Sequence, residues 1–395
     1  MAATETVDVL AQCLCKAHRF TATVPRASLP LKASCCHCNS CRHSTGALYT
    51  CDASWPGSFD EIRDSSLCKY EFSANLTIRF CGTCSAPMFY QKHSVDREST
   101  FGVFTGALAN SPVTNFIKIV DHIFVGDTID GGASVWMHKP NQDGSVPRRW
   151  MAGRNNSDEL HHTWPPVEDL PGVNHKIGPV EIPLRCHCGG VNFVLRRGDA
   201  DFAAMLPEKL PWFVEPRTHK LLTTFDACNS CRTTFGADVI NWTFALMHHL
   251  EFPANNTGQF ATTGFPRTTN DLKTSVSSED RDPRLGTLCI YESSPDVQRY
   301  FCSRCSASVF YAVDDRQELV DVAVGLLEEP SGARAESFLA WGFGSDVGSM
   351  QDVIGGWREK LVAAIQSEAE AWRIARSYPK TWRRILKEED LVADS

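Results

Sequence analysis

The chain has 395 residues, of which 43% are hydrophobic and 22% charged, with ten Trp. That is too long for one ordinary core and too apolar for a disordered chain, so two globular units are expected. A net charge of −8 argues against a sequence-independent grip on phosphate backbones, and no nucleic-acid partner is expected.

The first residues lack a basic and then apolar leader, and no run approaches the length of a membrane span. A cytoplasmic protein without a membrane partner is therefore expected. In that reducing setting the 17 cysteines, which come as C-x-C and C-x-x-C clusters, read first as metal ligands.

In chain order, Cys13-Leu14-Cys15 leads into the strand-like run ending at Pro25. Next comes Cys36-His37-Cys38-Asn39-Ser40-Cys41-Arg42, then Cys81-Gly82-Thr83-Cys84 between two short apolar runs that predict a hairpin. Trp136 closes this first unit, 10–138. A Pro-rich stretch follows and predicts an extended, surface-lying linker over 139–180.

The order of blocks is then written again. Cys186-His187-Cys188 answers Cys13 and Cys15. Asp226-Ala227-Cys228-Asn229-Ser230-Cys231-Arg232 answers the central cluster, and Phe301-Cys302 through Cys305 answers Phe80-Cys81 through Cys84. Gly46-Ala47 and Gly236-Ala237 follow the two central clusters, and Gly106 and Gly325 recur later. The second unit spans 181–350. Its spacer from Cys231 to Cys302 is much longer, polar and turn-rich, which predicts an insertion loop at about 250–290 rather than new core. Over 351–395, Trp357, Leu361, Ile365, Ala369 and Trp372 at helical spacing predict an amphipathic helical extension, packed on its own domain rather than on a partner.

Cys13, Cys15, Cys81 and Cys84 suit one closed tetrahedral Zn²⁺, and Cys186, Cys188, Cys302 and Cys305 a second; such sites contribute folding free energy. Cys36, Cys38 and Cys41 offer three ligands, the catalytic arrangement with an open fourth position. Alternatively Cys35 or His37 closes that position. Asp226, Cys228 and Cys231 repeat the set with one carboxylate. A thiolate-rich zinc favours a sulfur ligand in the open position, so carbon–sulfur bond making or breaking is the natural reaction class. Arg42 and Arg232 are candidates for holding a substrate carboxylate, with an ordinary ion pair as the alternative.

These motifs together resemble the family of glutathione-dependent formaldehyde-activating enzymes, which also includes the centromere protein V domain. The resemblance implies a mainly β fold: two tandem domains of small, zinc-stapled sheets (β-tent) with a C-terminal amphipathic helix. It implies two structural zincs, one or two catalytic-type zincs, and Cys36, Cys38 and Cys41 as the catalytic ligands. The implied activity is a carbon–sulfur lyase or synthase acting on a small-molecule thiol adduct such as S-(hydroxymethyl)glutathione, with glutathione as a candidate co-substrate and a homodimer as one assembly open to it. The competing expectation is a non-catalytic, zinc-stabilised scaffold of the centromere protein V type. The family usually has Gly after each first C-x-C and each last C-x-x-C; Gly189 keeps this, whereas Lys16, Ser85 and Ser306 do not.

Overall fold

Strict alternation of buried and exposed residues sets the first two strands, since neighbouring side chains on a strand point to opposite faces. In the computed structural model, which describes residues 5–94, 99–170, 178–254 and 264–393, β1 (Thr6–Gln12) and β2 (Arg19–Pro25) pair antiparallel. They bury Val7, Val9 and Ala11 against Phe20, Ala22 and Val24. The strands that follow are β3 (Leu31–Cys36), β4 (Thr50–Ser54), β5 (Cys68–Ser73), β6 (Leu76–Phe80), β7 (Pro87–Lys92), β8 (Thr100–Phe104), β9 (Ile117–Ile123) and β10 (Arg148–Arg149). They form one 8-stranded sheet in the order β10-β9-β3-β4-β8-β7-β6-β5. The pair β6–β7 is the hairpin expected around Cys81 and Cys84.

Later in the chain come β11 (Glu181–Arg185), β12 (Asn192–Arg196), β13 (Leu221–Asp226), β14 (Ile240–Leu246), β15 (Leu250–Glu251), β16 (Leu288–Ser294), β17 (Val297–Cys302), β18 (Ser308–Val313), β19 (Leu319–Ala323) and β20 (Leu339–Trp341). A 3-stranded sheet holds β11, β12 and β15, and a 7-stranded sheet runs β16-β17-β18-β19-β14-β13-β20. Read backwards, that sheet follows the same path as β9-β3-β4-β8-β7-β6-β5. The directions agree too: β9 runs parallel to β3, and β20 runs parallel to β13.

The helices are α1 (Asn39–Thr45), α2 (Phe59–Arg63), α3 (Asp199–Ala203), α4 (Asn229–Phe235), α5 (Thr269–Ser277), α6 (Trp357–Ala375) and α7 (Trp382–Ala393). Among the described residues no helix is long and apolar enough to cross a membrane.

The two halves meet through reciprocal contacts. The N–H of Gly106 donates to the carbonyl of Gly236 at 3.2 Å, and that of Gly325 donates to Gly46 at 2.9 Å. A Cβ on Gly106 would lie 2.3 Å from the Arg232 carbonyl oxygen, and one on Gly325 would lie 2.1 Å from that of Ala47. Only glycine permits this approach of backbone to backbone. The Gly-Ala pairs after the central clusters are thus seam residues. Trp136 also crosses, with its ring 5.2 Å from Phe225 and 5.3 Å from Trp341.

Three expectations need correction. The stretch expected as a surface linker adds β10 to the first sheet and buries Arg149 and Trp150. The Trp150 indole donates to Asp121 at 2.8 Å, and Arg149 donates to the carbonyl of Trp164 at 3.0 Å. Proline density marked irregular chain, but not exposed chain; residues 171–177 of that stretch lie outside the described ones. The expected insertion loop carries α5, whose Thr268 and Asp271 form a capping box and whose Leu272 and Val276 are buried. Residues 255–263 of that loop are outside the described set. Finally, α6 packs on more than the second half. The Trp357 N–H donates to Ser111 at 2.9 Å, and buried Arg358 bridges Asp238 at 2.8 Å and the Leu108 carbonyl at 3.0 Å.

Candidate metal centres

Turns between paired strands gather the two four-cysteine groups. Cys13 and Cys15 follow β1, Cys81 and Cys84 follow β6, and their sulfurs lie within 4.8 Å of one another; Cys186, Cys188, Cys302 and Cys305 do the same in the second half. Sulfur separations are 3.6 Å for Cys13–Cys15, 3.5 Å for Cys15–Cys81 and 3.4 Å for Cys188–Cys302. Those distances are far too long for a disulfide. They approach the edge of about 3.8 Å expected for a tetrahedron of thiolates about 2.3 Å from zinc. The residues fit the metal.

The turns also explain why glycine suits the positions after these pairs. Lys16, Ser85 and Ser306 have φ of 65°, 63° and 67°, and Gly189 has 70°. A side chain in this left-handed region costs about 1 kcal/mol. Ser306 in addition buries a hydroxyl without a partner. Ser306→Gly is accordingly expected to raise stability by about 1 kcal/mol, read as a higher midpoint in thermal unfolding at constant zinc content.

The central cluster forms where β3 runs into α1. Cys38 caps the helix, its sulfur accepting the Cys41 N–H at 3.3 Å, and Gly46 at φ 86° ends the helix. Cys36, Cys38 and Cys41 have their sulfurs within 4.8 Å of one another. Strand alternation sends the neighbouring side chains elsewhere. Cys35 is fully buried and is paired in register with Cys51. The His37 imidazole meets that of His122, Nε2 to Nδ1 at 2.9 Å. Burial, then the neighbouring imidazole, holds the His37 pKa well below its usual value. Neither Cys35 nor His37 joins the cluster, and among the described residues no fourth metal-type donor is grouped with the three sulfurs. Hydrogen bonds from Cys36 and then Cys41 pull Cys38 down to about 3, while Cys36 and Cys41 are raised by the same sharing. The cluster thus gathers negative charge on Cys38 and keeps protons on Cys36 and Cys41, protons that ligands release when a cation enters.

In the second half Asp226 ends β13 and accepts the Cys228 N–H at 2.9 Å, and Asp226, Cys228 and Cys231 are again within 4.8 Å. Here a cation is already present, because Arg299 donates from Nη1 to the Cys231 sulfur at 3.4 Å. The matched cysteines and the strand register put Ile78 at the corresponding place in the first half, where it pairs with Tyr90 as Arg299 pairs with Tyr311, so that position supplies no cation there.

The two arginines after the clusters differ as well. Arg232 is committed to the seam, donating to the carbonyls of Gly106 at 2.6 Å and Leu108 at 2.9 Å and from Nη2 to Asn229 at 2.8 Å. The expectation that it holds a substrate carboxylate is corrected: its guanidinium satisfies buried backbone carbonyls. Arg42 is 5% exposed and bonds Asn39 at 2.6 Å, and it lines a cavity of about 330 Å³ between the halves. Asn39, Asp127 and Glu328 share that lining.

Sequence reasoning passed over two carboxylates. Asp352 accepts the N–H of Asn229 at 2.8 Å, and Asp127 accepts that of Asn39. Burial and then the Cys38 sulfur raise the Asp127 pKa. The signal was present in the repeat itself: Asp127-Thr128-Ile129 and Asp352-Val353-Ile354 both precede a Gly-Gly pair.

Searches of the curated proteins and of the solved structures each return no match to the chain. A comparison with protein-family models does: residues 8–127 match the glutathione-dependent formaldehyde-activating enzyme family.

Proposed function

We propose that the protein is a zinc-dependent carbon–sulfur lyase or synthase acting on a thiol adduct such as S-(hydroxymethyl)glutathione or another glutathione-type conjugate, and that its two halves are tandem copies of one domain. The observation that carries this reading is the three-sulfur cluster without a fourth donor among the described residues, inside the stretch that matches the family. The shared strand path supports the tandem arrangement.

When bound by Cys36, Cys38 and Cys41, Zn²⁺ supplies a soft Lewis acid that favours a sulfur ligand. The chain's own residues do the rest. In the synthase direction a thiol sulfur bonds to a carbonyl carbon and its proton ends on the oxygen; the lyase direction reverses both. Capping by Cys38 and the His37–His122 pair behind the cluster hold the sulfurs in place. Asp127 stands at the start of α1, where it would hold the hydroxyl end of the adduct, and Arg42 supplies positive charge to the neighbouring cavity. Glu328 brings the second half into that wall.

The test combines metal content with a screen of thiol adducts. About three or four zinc ions per chain are expected, two of them slow to leave under mild chelation. Turnover of at least one adduct should depend on the more labile metal. Two ions or fewer, or no turnover by the fully loaded protein, would leave the scaffold reading in its place.

A further inference from the structure

Beyond the cysteine clusters, the described residues bring together one further group of metal-type donors: Asp201, His248 and His249, with the donor atoms within 4.8 Å of one another. Asp201 lies on α3, and the two histidines end the short turn Met247–His249 after β14. One carboxylate oxygen faces both rings, with Oδ2 2.8 Å from Nε2 of His249 and 3.6 Å from Nε2 of His248.

The arrangement is built rather than incidental. The His249 side chain is 1% exposed and its ring stands edge-on to Phe202, 5.2 Å away. Gly198 makes its slot, because a Cβ there would lie 2.2 Å from the ring's Cε1. Nδ1 of His249 is buried without a partner, so the ring's polar contact is made through Nε2, the atom that faces Asp201. His248 and Asp201 are half exposed, at 45% and 49% of their side chains, which leaves the outer side of the group open to water. The adjacent cation, Arg196, is paired with Glu251 at 2.9 Å.

Two imidazoles and a carboxylate suit borderline divalent transition ions, and hard cations that demand all-oxygen shells less well. Ligands about 2.0–2.2 Å from a tetrahedral zinc stand roughly 3.3 Å apart. The separations from Oδ2 bracket that value. We propose that Asp201, His248 and His249 bind one Zn²⁺-class ion, completed by water, which pins α3 to the turn after β14. This site is independent of the cysteine clusters and of the reaction assigned to them.

The experiment uses the full chain in a Cys38→Ser background, with its two four-cysteine sites loaded and weakly held metal removed by a mild chelator, then titrated with Zn²⁺ by calorimetry. One further equivalent is expected, retained in Cys228→Ser, and weakened by about 10-fold or more in both Asp201→Asn and His248→Gln. Both replaced side chains are half exposed, so these variants keep the fold; unfolding midpoints should rise with added Zn²⁺ in the parent and not in the two variants. A parent that takes up no zinc beyond what Cys228→Ser removes, or uptake undiminished in both variants, would overturn the proposal.

Discussion

Cys84→Ser and Cys305→Ser are each expected to cost most of the stability of the protein, whereas Cys38→Ser keeps the fold and loses turnover. Cys84 and Cys305 are buried in groups of four sulfurs that tie the turn after β1 to the turn after β6, and the turn after β11 to the turn after β17. Structural zinc in small thiolate sites is worth about 10–16 kcal/mol of apparent binding free energy, which is folding free energy when the unfolded chain lacks the site. That is of the same size as the net stability of about 5–15 kcal/mol of an ordinary domain, so losing one ligand should be felt as precipitation or a collapsed unfolding midpoint.

Cys38 stands differently. Its sulfur serves α1 as the N-cap, and serine is among the preferred residues at that position, so the helix keeps its cap when the thiol is lost. What serine does not replace is a soft thiolate ligand. Thermal unfolding, zinc content and turnover of the three variants decide the matter. A Cys38→Ser protein that melts as early as Cys84→Ser would make the central cluster structural.

Much of this architecture was legible because cysteine spacing and period-2 burial are local signals. Cys13, Cys15, Cys81 and Cys84 announced a knuckle pair before any contact was known, and their recurrence at Cys186, Cys188, Cys302 and Cys305 announced the repeat. The alternation in β3 was enough to expect that Cys35 and His37 would turn away from Cys36 and Cys38, and the structure places them against Cys51 and His122. What was not legible depends on pairing across long separations. Arg149 and Trp150 sit in a Pro-rich stretch, and only the docking of β10 on β9 buries them. Arg232 looks like Arg42 in sequence, but carbonyls more than a hundred residues away decide its role. The Thr268–Asp271 capping box was a local signal that the polar composition around it hid.

The largest functional contrast is expected between Cys41→Ala and Cys231→Ala. Both residues lie in the first turn of matching helices, α1 and α4, where alanine preserves helix propensity. Their sulfurs differ in what surrounds them. The first cluster has three thiols and gathers its charge on Cys38, so a divalent ion is the cation that completes it. In the second, the Asp226 carboxylate is a harder donor that is already bonded to the Cys228 N–H, and Arg299 places a guanidinium on the Cys231 sulfur. A positive charge there lowers the gain from bringing in Zn²⁺, and one fewer sulfur weakens the preference for a thiol substrate. Turnover should therefore follow the first cluster. Removing a residue that merely orients a metal ligand costs about 10–100-fold, so loss of the ligand itself in Cys41→Ala should exceed that, with the fold unchanged by far-UV circular dichroism. Cys231→Ala should retain turnover within a few-fold and lose no tightly held zinc. Loss confined to Cys231→Ala would move the chemistry to the second half, and equal loss in both would mean that the clusters act across the Gly106–Gly236 and Gly325–Gly46 seam as a pair.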